Sequence, residues 1–255
     1  MSKDSLSVRA LGSCETMASA SVICTNKTRT ITQKEMTVVA GTVGVHAKFV
    51  RRLDGSPKTK DLVDLANLNE VLLHPVKDLF NEAIAINSTA FEDMDPKSGA
   101  PVFIGSKIES ALLGFAKELG WPNYKDTRGS VDILPMISFS RDGKFMGCVA
   151  WLTDGNHRLY VKGASEILAQ HCTRHVVLAD SAPANEIETA PIGALEQHII
   201  STTITSYASQ MLCTIALCYR DFPSQPPKGA RLGITVRRVN PSLSPYMVPD
   251  TVGQG

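Results

Sequence analysis

The sequence predicts an α+β fold. Amphipathic helical stretches and alternating β-like runs follow one another without a regular strand–helix–strand repeat. The middle of the chain changes period from helical to alternating at "VDILPMISFSRDGKFMGCVAWL", residues 131–152. Short turn sequences such as "SRDG" and "TDGN" separate the runs on either side, which is the pattern of an antiparallel meander.

Taken in order, residues 1–35 read as a helix-like piece, the short strand "ASVIC" and a polar turn. Val and Thr dominate "MTVVAGTVGVH", residues 36–46, which is predicted to be a strand. "VRRLDGSPKTKD" reads as a surface loop. In "HPVKDLFNEAIAINS", Val76, Leu79, Phe80, Ala83 and Ile84 recur at helical spacing, with Pro75 suited to a first turn. "EDMDPKSGAP" reads as a loop. "SKIESALLGFAKELGW" is a second amphipathic helix, its apolar face formed by Leu112, Leu113, Phe115, Ala116 and Leu119. After the meander, "ASEILAQHC" is predicted to be a helix capped by Ser165. "TRHVVLADSAPANEIETAPIG" is loop-like with a weak strand, "ALEQHIISTTITSYASQML" is a long helix and "CTIALCYRD" a closing strand. The Pro-, Gly- and Ser-rich tail, 223–255, is expected to lack order.

The formal net charge of +1 gives no electrostatic reason to expect nucleic acid or an anionic membrane as a partner. The six cysteines have no C-x-x-C spacing, and several lie in apolar runs, so buried reduced thiols are expected rather than a disulfide framework or a zinc site. His171 and His175 stand four apart, but Thr173 and Arg174 interrupt the helical pattern between them, and surface histidines are the better reading. No apolar run approaches the about 18 residues that a bilayer span needs, and "MSKDSLSVRALG" has no apolar signal core. The expectation is a cytoplasmic chain with no membrane contact of its own.

One stretch carries chemistry by its residue types. In "ICTNKTRTITQ" a strand runs into Asn26-Lys27-Thr28-Arg29-Thr30-Ile31-Thr32. This resembles the D-K-T-G-T-[LI]-T phosphorylation loop of P-type ion-pumping ATPases. Upstream, "SCETMASASVIC" (13–24) resembles the "ACETMGxAxxIC" of the calcium-pump branch. The resemblance continues in order through about residue 222 and is closest to the calmodulin-type plasma-membrane or vacuolar calcium pumps, particularly fungal ones. "INSTAFE" (86–92) fits that branch as well.

The resemblance implies a twisted antiparallel sheet flanked by helices, forming a nucleotide-binding domain over 36–222 after a phosphorylation-domain stub at 1–35. It also implies the ligand, ATP, with magnesium arriving only with the nucleotide. "GSKIESALLGFAKELG" places Glu109 where the family meets the adenine amino group. "FSRDGKFM" places Phe139 as the ring that stacks on adenine and Lys144 at the mouth of the pocket, with Arg141 nearby. "YVKGASEIL" supplies Lys162, and Gly163 for close backbone approach. An aromatic platform, cations and an acceptor for an N–H₂ group make chemical sense together as a nucleotide pocket.

Departures from the family pattern set the expected limits. Asn26 stands at the position of the phosphorylated aspartate, and an amide cannot yield a stable acyl phosphate. Arg29 replaces the loop glycine. Cys213 replaces an arginine that reaches the nucleotide phosphates, so ATP binding should be weak: one charge-assisted hydrogen bond contributes about 1.5–3 kcal/mol. The sequence contains no D-P-P-R, T-G-D or G-D-G-x-N-D segment. The chain is therefore expected to be a pseudoenzyme in phosphoryl transfer and unable by itself to move an ion. Two other readings remain open at this point. One is a non-catalytic nucleotide-sensing module that pairs with an intact calcium pump. The other is a degenerate gene fragment.

Overall fold

A computed structural model describes residues 35–51, 62–96, 99–134, 137–152, 155–178 and 186–222, together with 12, 18–22 and 24. The chain divides into two units, residues 1–35 and 36–255. Asn26, Arg29 and the tail from 223 lie outside the described residues, as does most of the helix–strand–turn reading of 1–35.

The second unit begins with a small sheet. Strands β1 (Ala40–Val43) and β2 (Ala47–Val50) form an antiparallel hairpin, and β3 (Leu62–Asp64) joins β2 in parallel. Residues 36–46, predicted as one strand, thus hold β1 and the turn after it, with Gly44 at φ +64°. A 3-10 turn (Leu65–Asn67) and the short helix α1 (Leu68–Val71) lead into α2 (His74–Ala85), with proline in its first turn. Val76, Leu79, Ala83 and Ile84 are buried there at the spacing the sequence predicts.

The stretch "EDMDPKSGAP", expected to be a loop, lies across a hairpin instead. Strand β4 (Phe91–Met94) pairs with β5 (Pro101–Ile104) from Phe91 opposite Ile104 to Met94 opposite Pro101. Acidic residues and proline are poor strand formers, and here the pairing partner overrides local preference. Helix α3 (Lys107–Glu118) follows, its N-terminus capped by Ser106, whose hydroxyl accepts from the Glu109 amide at 3.2 Å. Helix α4 is Tyr124–Gly129.

The main sheet is antiparallel, in the order β12-β9-β8-β6, with β7 also paired to β8. Its strands are β6 (Asp132–Ile133), β7 (Ile137–Ser140), β8 (Phe145–Trp151), β9 (His157–Ala164) and β12 (Ile215–Phe222). Helix α5 (Ser165–His171) continues directly from β9, and its N-cap is Ala164 rather than Ser165. Ser165 instead donates to the Thr214 hydroxyl at 2.6 Å. The weak strand expected in 173–193 is a pair, β10 (Arg174–Val176) with β11 (Thr189–Pro191). Helix α6 (Ala194–Ser209) is the long helix the sequence predicts.

Two apolar clusters hold the unit together. One gathers α1, α2, α3 and the first sheet around Phe49, Phe115 and Trp121, with ring centroids 5.6–5.8 Å apart. The other lies between α2 and the main sheet and contains Leu79, Ala83, Ile86, Cys148, Ala150 and Tyr160. No helix among the described residues is long and apolar enough to cross a membrane.

Candidate functional site

The register of the main sheet brings the predicted residues to one end of it. Ser140 on β7 pairs with Phe145 on β8, and Phe145 pairs with Gly163 on β9. Phe139 therefore sits one residue from a row that runs through β8 to Gly163, beside Lys162. Phe139 is 60% exposed. The β7–β8 turn carries Arg141 and Lys144, both exposed. Lys144 adopts φ +51°, and its amide donates to the Ser140 carbonyl at 2.7 Å. Its carbonyl in turn accepts from the Ala164 amide at 2.9 Å, fastening the turn to β9.

Gly163 has a packing reason for being glycine. A Cβ there would stand 2.5 Å from the Lys144 carbonyl oxygen and 2.7 Å from the Phe145 Cβ. The close approach is between two strands of the protein.

Lys162 and Glu109 are not surface charges. They are 4% and 3% exposed, and Lys162 Nζ lies 2.8 Å from Glu109 Oε1. Lys162 also donates to the Asn87 carbonyl. The Thr89 amide (3.2 Å) and hydroxyl (3.1 Å) donate to the two oxygens of Glu109. Burial pushes the Glu109 carboxyl up, but the Lys162 ammonium and the two Thr89 donors more than offset it, so it sits below the ordinary carboxylate range. Burial lowers Lys162, and Glu109 offsets part of that.

The sequence reading missed the residues that support this pair. Asn87 is fully buried and donates to the carbonyls of Met146 (3.5 Å) and Tyr160 (3.4 Å). Arg128 donates to the carbonyls of Ala85 (2.7 Å) and Ala90 (2.9 Å) and lies over the Tyr124 ring. Together they fix residues 85–90 against the sheet. The available signal was the polar run Asn87-Ser88-Thr89, set between apolar residues just after a helix. Cys213 is exposed, in the segment between α6 and β12.

An open cleft of about 470 Å³ lies at the opposite end of β9. Asp78, Glu82, Glu186 and Asp221 line it with Arg158. A lining with four carboxylates repels a polyphosphate.

The main sheet thus carries at one end an exposed ring, a cationic turn and, on β9, the lysine of a buried Glu–Lys pair. Residues 75–241 match the family described as "P-type ATPase, cytoplasmic domain N", and the chain belongs to that family. It is similar to "Calcium-transporting ATPase 2" of Cryptococcus neoformans, 50% identical over 243 residues, which are 90% of this chain and 17% of that protein. It is 38% identical to "Calcium-transporting ATPase 2" of Schizosaccharomyces pombe, over 89% of this chain and 18% of that protein. It is 32% identical to human "Plasma membrane calcium-transporting ATPase 4", over 89% of this chain and 17% of that protein. The chain thus spans less than a fifth of the length of each of these relatives.

Proposed function

We propose that this chain is the ATP-binding unit of a calcium-transporting P-type ATPase and that it cannot itself form the aspartyl phosphate. In this reading residues 1–35 carry a degenerate phosphorylation loop and 36–222 the nucleotide-binding domain, facing the cytosol beside a plasma or vacuolar membrane. Phe139 offers its exposed face to adenine. Arg141 and Lys144 supply positive charge at the rim. Glu109 and Lys162 form a fixed polar floor next to Gly163. The observation that supports the reading is the Ser140–Phe145–Gly163 register, from which Phe139, Lys144 and Lys162 each stand one residue away along the chain. Asn26 removes the nucleophile: its amide nitrogen and oxygen are far poorer attackers of a phosphoryl group than a carboxylate. Magnesium is proposed to enter only with ATP.

Calorimetric titration of the chain with ATP, with and without magnesium, tests this beside Phe139→Ala. Saturable binding is expected, weakened by the substitution by roughly 1–3 kcal/mol, the range of a base–aromatic stack, or about five- to a hundredfold. No binding by a chain that unfolds cooperatively overturns the nucleotide role. After incubation with γ-labelled ATP, the acid-precipitated chain is expected to retain no label.

A second reading, a module that pairs with an intact pump, is favoured by one feature. Phe91, Val102 and Ile104 of the β4–β5 hairpin are exposed apolar side chains. Co-elution with a full-length calcium-transporting relative, lost on Phe91→Ser, would support it.

A further inference from the structure

Cys172 and Cys218 are 46 residues apart in sequence, yet their Sγ atoms lie 3.4 Å from each other. Both are free thiols and both are partly buried. Cys172 ends α5, and Cys218 lies in β12 opposite Val161 of β9. From this geometry we propose that Cys172 and Cys218 form an oxidative modification site, converted to a disulfide by a peroxide. A disulfide needs about 2.05 Å between the sulfurs, so the pair must close the remaining gap to bond.

The two thiols have different roles. Either sulfur can donate across the 3.4 Å contact; with the proton on Cys218, that hydrogen bond holds Cys172 below the ordinary thiol range against the opposing effect of burial. The same bond, with burial, pushes Cys218 well up. Cys172 is therefore the attacking thiolate. Its sulfur attacks one peroxide oxygen; the S–O bond forms, the O–O bond breaks, and hydroxide leaves. The product is a sulfenic acid at Cys172. Cys218 then attacks that sulfur. The S–S bond forms, the S–O bond breaks, and the oxygen leaves as water with the Cys218 proton. Two thiols and one hydrogen peroxide thus give one disulfide and two waters.

The other described thiols set the contrast. Cys148 is fully buried, and burial pushes its thiol up to about 12, so it is inert to this chemistry. Cys24 and Cys213 are exposed. The bond would tie the end of α5 to the centre of β12 and thereby brace β9, the strand that carries Lys162 and Gly163.

The test treats the reduced 255-residue chain with stoichiometric hydrogen peroxide and then alkylates the remaining thiols. Digestion combines trypsin with chymotrypsin, because cleavage after Leu217 separates Cys213 from Cys218. Mass spectrometry is expected to show the Cys172 peptide joined to the Cys218 peptide, and a thiol reductant is expected to release them. The oxidised chain is expected to melt roughly 5–10 °C higher than the reduced chain. In Cys218→Ser, dimedone is expected to trap the sulfenic acid at Cys172. Oxidation that spares Cys172 and Cys218 while modifying Cys24 or Cys213 would overturn the proposal, as would a cross-link from Cys172 to Cys213. Wild-type mapping decides the matter even if a serine variant folds poorly.

Discussion

Strand β9 presents Arg158, Tyr160 and Lys162 to the same side of the sheet, yet its two ends treat charge in opposite ways. At one end Lys162 and Glu109 meet at 2.8 Å with both side chains 4% exposed. At the other, Arg158 donates to both carboxylate oxygens of Asp221, at 2.6 and 2.9 Å, where the aspartate side chain is 47% exposed. Tyr160 stands between them and donates to Glu82 of α2. Arg158 also lies 3.7 Å from Glu82. The chemical types match, but the solvent does not. Water reaches the Arg158 end through Asp221, although the Arg158 side chain is itself only 16% exposed, whereas the Lys162 end depends on its own donors and acceptors.

The largest difference should appear when one partner is removed at the dry end. Glu109→Ala leaves the Lys162 ammonium buried with the Asn87 carbonyl as its described acceptor, and such an orphaned charge costs about 3–5 kcal/mol. Urea unfolding at neutral pH measures it. The double variant Glu109→Leu with Lys162→Met should recover most of that loss, because two apolar side chains need no partner. If Glu109→Ala costs under about 1 kcal/mol, water reaches the pair and the contrast between the two ends fails.

Acid should break the same pair without mutation. Glu109 titrates lower in the folded chain than in the unfolded one, so the unfolded chain binds more protons between the two values. Its contribution to stability is complete above the unfolded value near 4.5 and is lost as pH falls through the folded value. The difference in unfolding free energy between wild type and Glu109→Gln should therefore shrink as pH is lowered through that window. A constant difference would mean that the carboxylate charge is not what the site uses.

Gly163→Ala probes the link between the dry end and the cationic turn. The added methyl meets the Lys144 carbonyl oxygen at 2.5 Å and the Phe145 Cβ at 2.7 Å. Neither can yield without separating β8 from β9, so a loss of about 1–3 kcal/mol is expected. Weaker ATP binding should accompany it, since the turn holding Arg141 and Lys144 must shift. An unchanged melting temperature would show that the strands part freely there.

Much of this architecture is legible in the sequence, and the misses share a cause. The apolar faces of α2 and α3 follow from local periodicity, as does the β7–β8–β9 meander with its turn residues. The β4–β5 hairpin is not legible, because Glu92, Asp93 and Pro101 signal loop and only the facing strand makes them a ladder. The exposure of Phe139 cannot be read from its strand either; it entered through a resemblance. Glu109 and Lys162 were each legible as members of a motif, but their ion pair spans 53 residues. Spacing rules carry no information about a contact at that range. The supporting roles of Asn87, Thr89 and Arg128 are lost for the same reason.

The smallest effect belongs to the wet end, and it is the sharper half of the comparison. Asp221→Ala removes a bidentate partner, yet Arg158 keeps Glu82 at 3.7 Å and lies over the Tyr219 ring at 5.1 Å. The freed guanidinium can also be hydrated from the open cleft beside it. The loss should be about 0.5–1 kcal/mol at low ionic strength and should fade toward zero in about 1 M salt, where the screening length is about 3 Å. The Glu109→Ala loss should hardly change over the same titration, because mobile ions do not enter a packed core. A salt-independent loss above about 2 kcal/mol at Asp221 would mean that this end is as desolvated as the other, and that the side of β9 facing α2 is one continuous buried network.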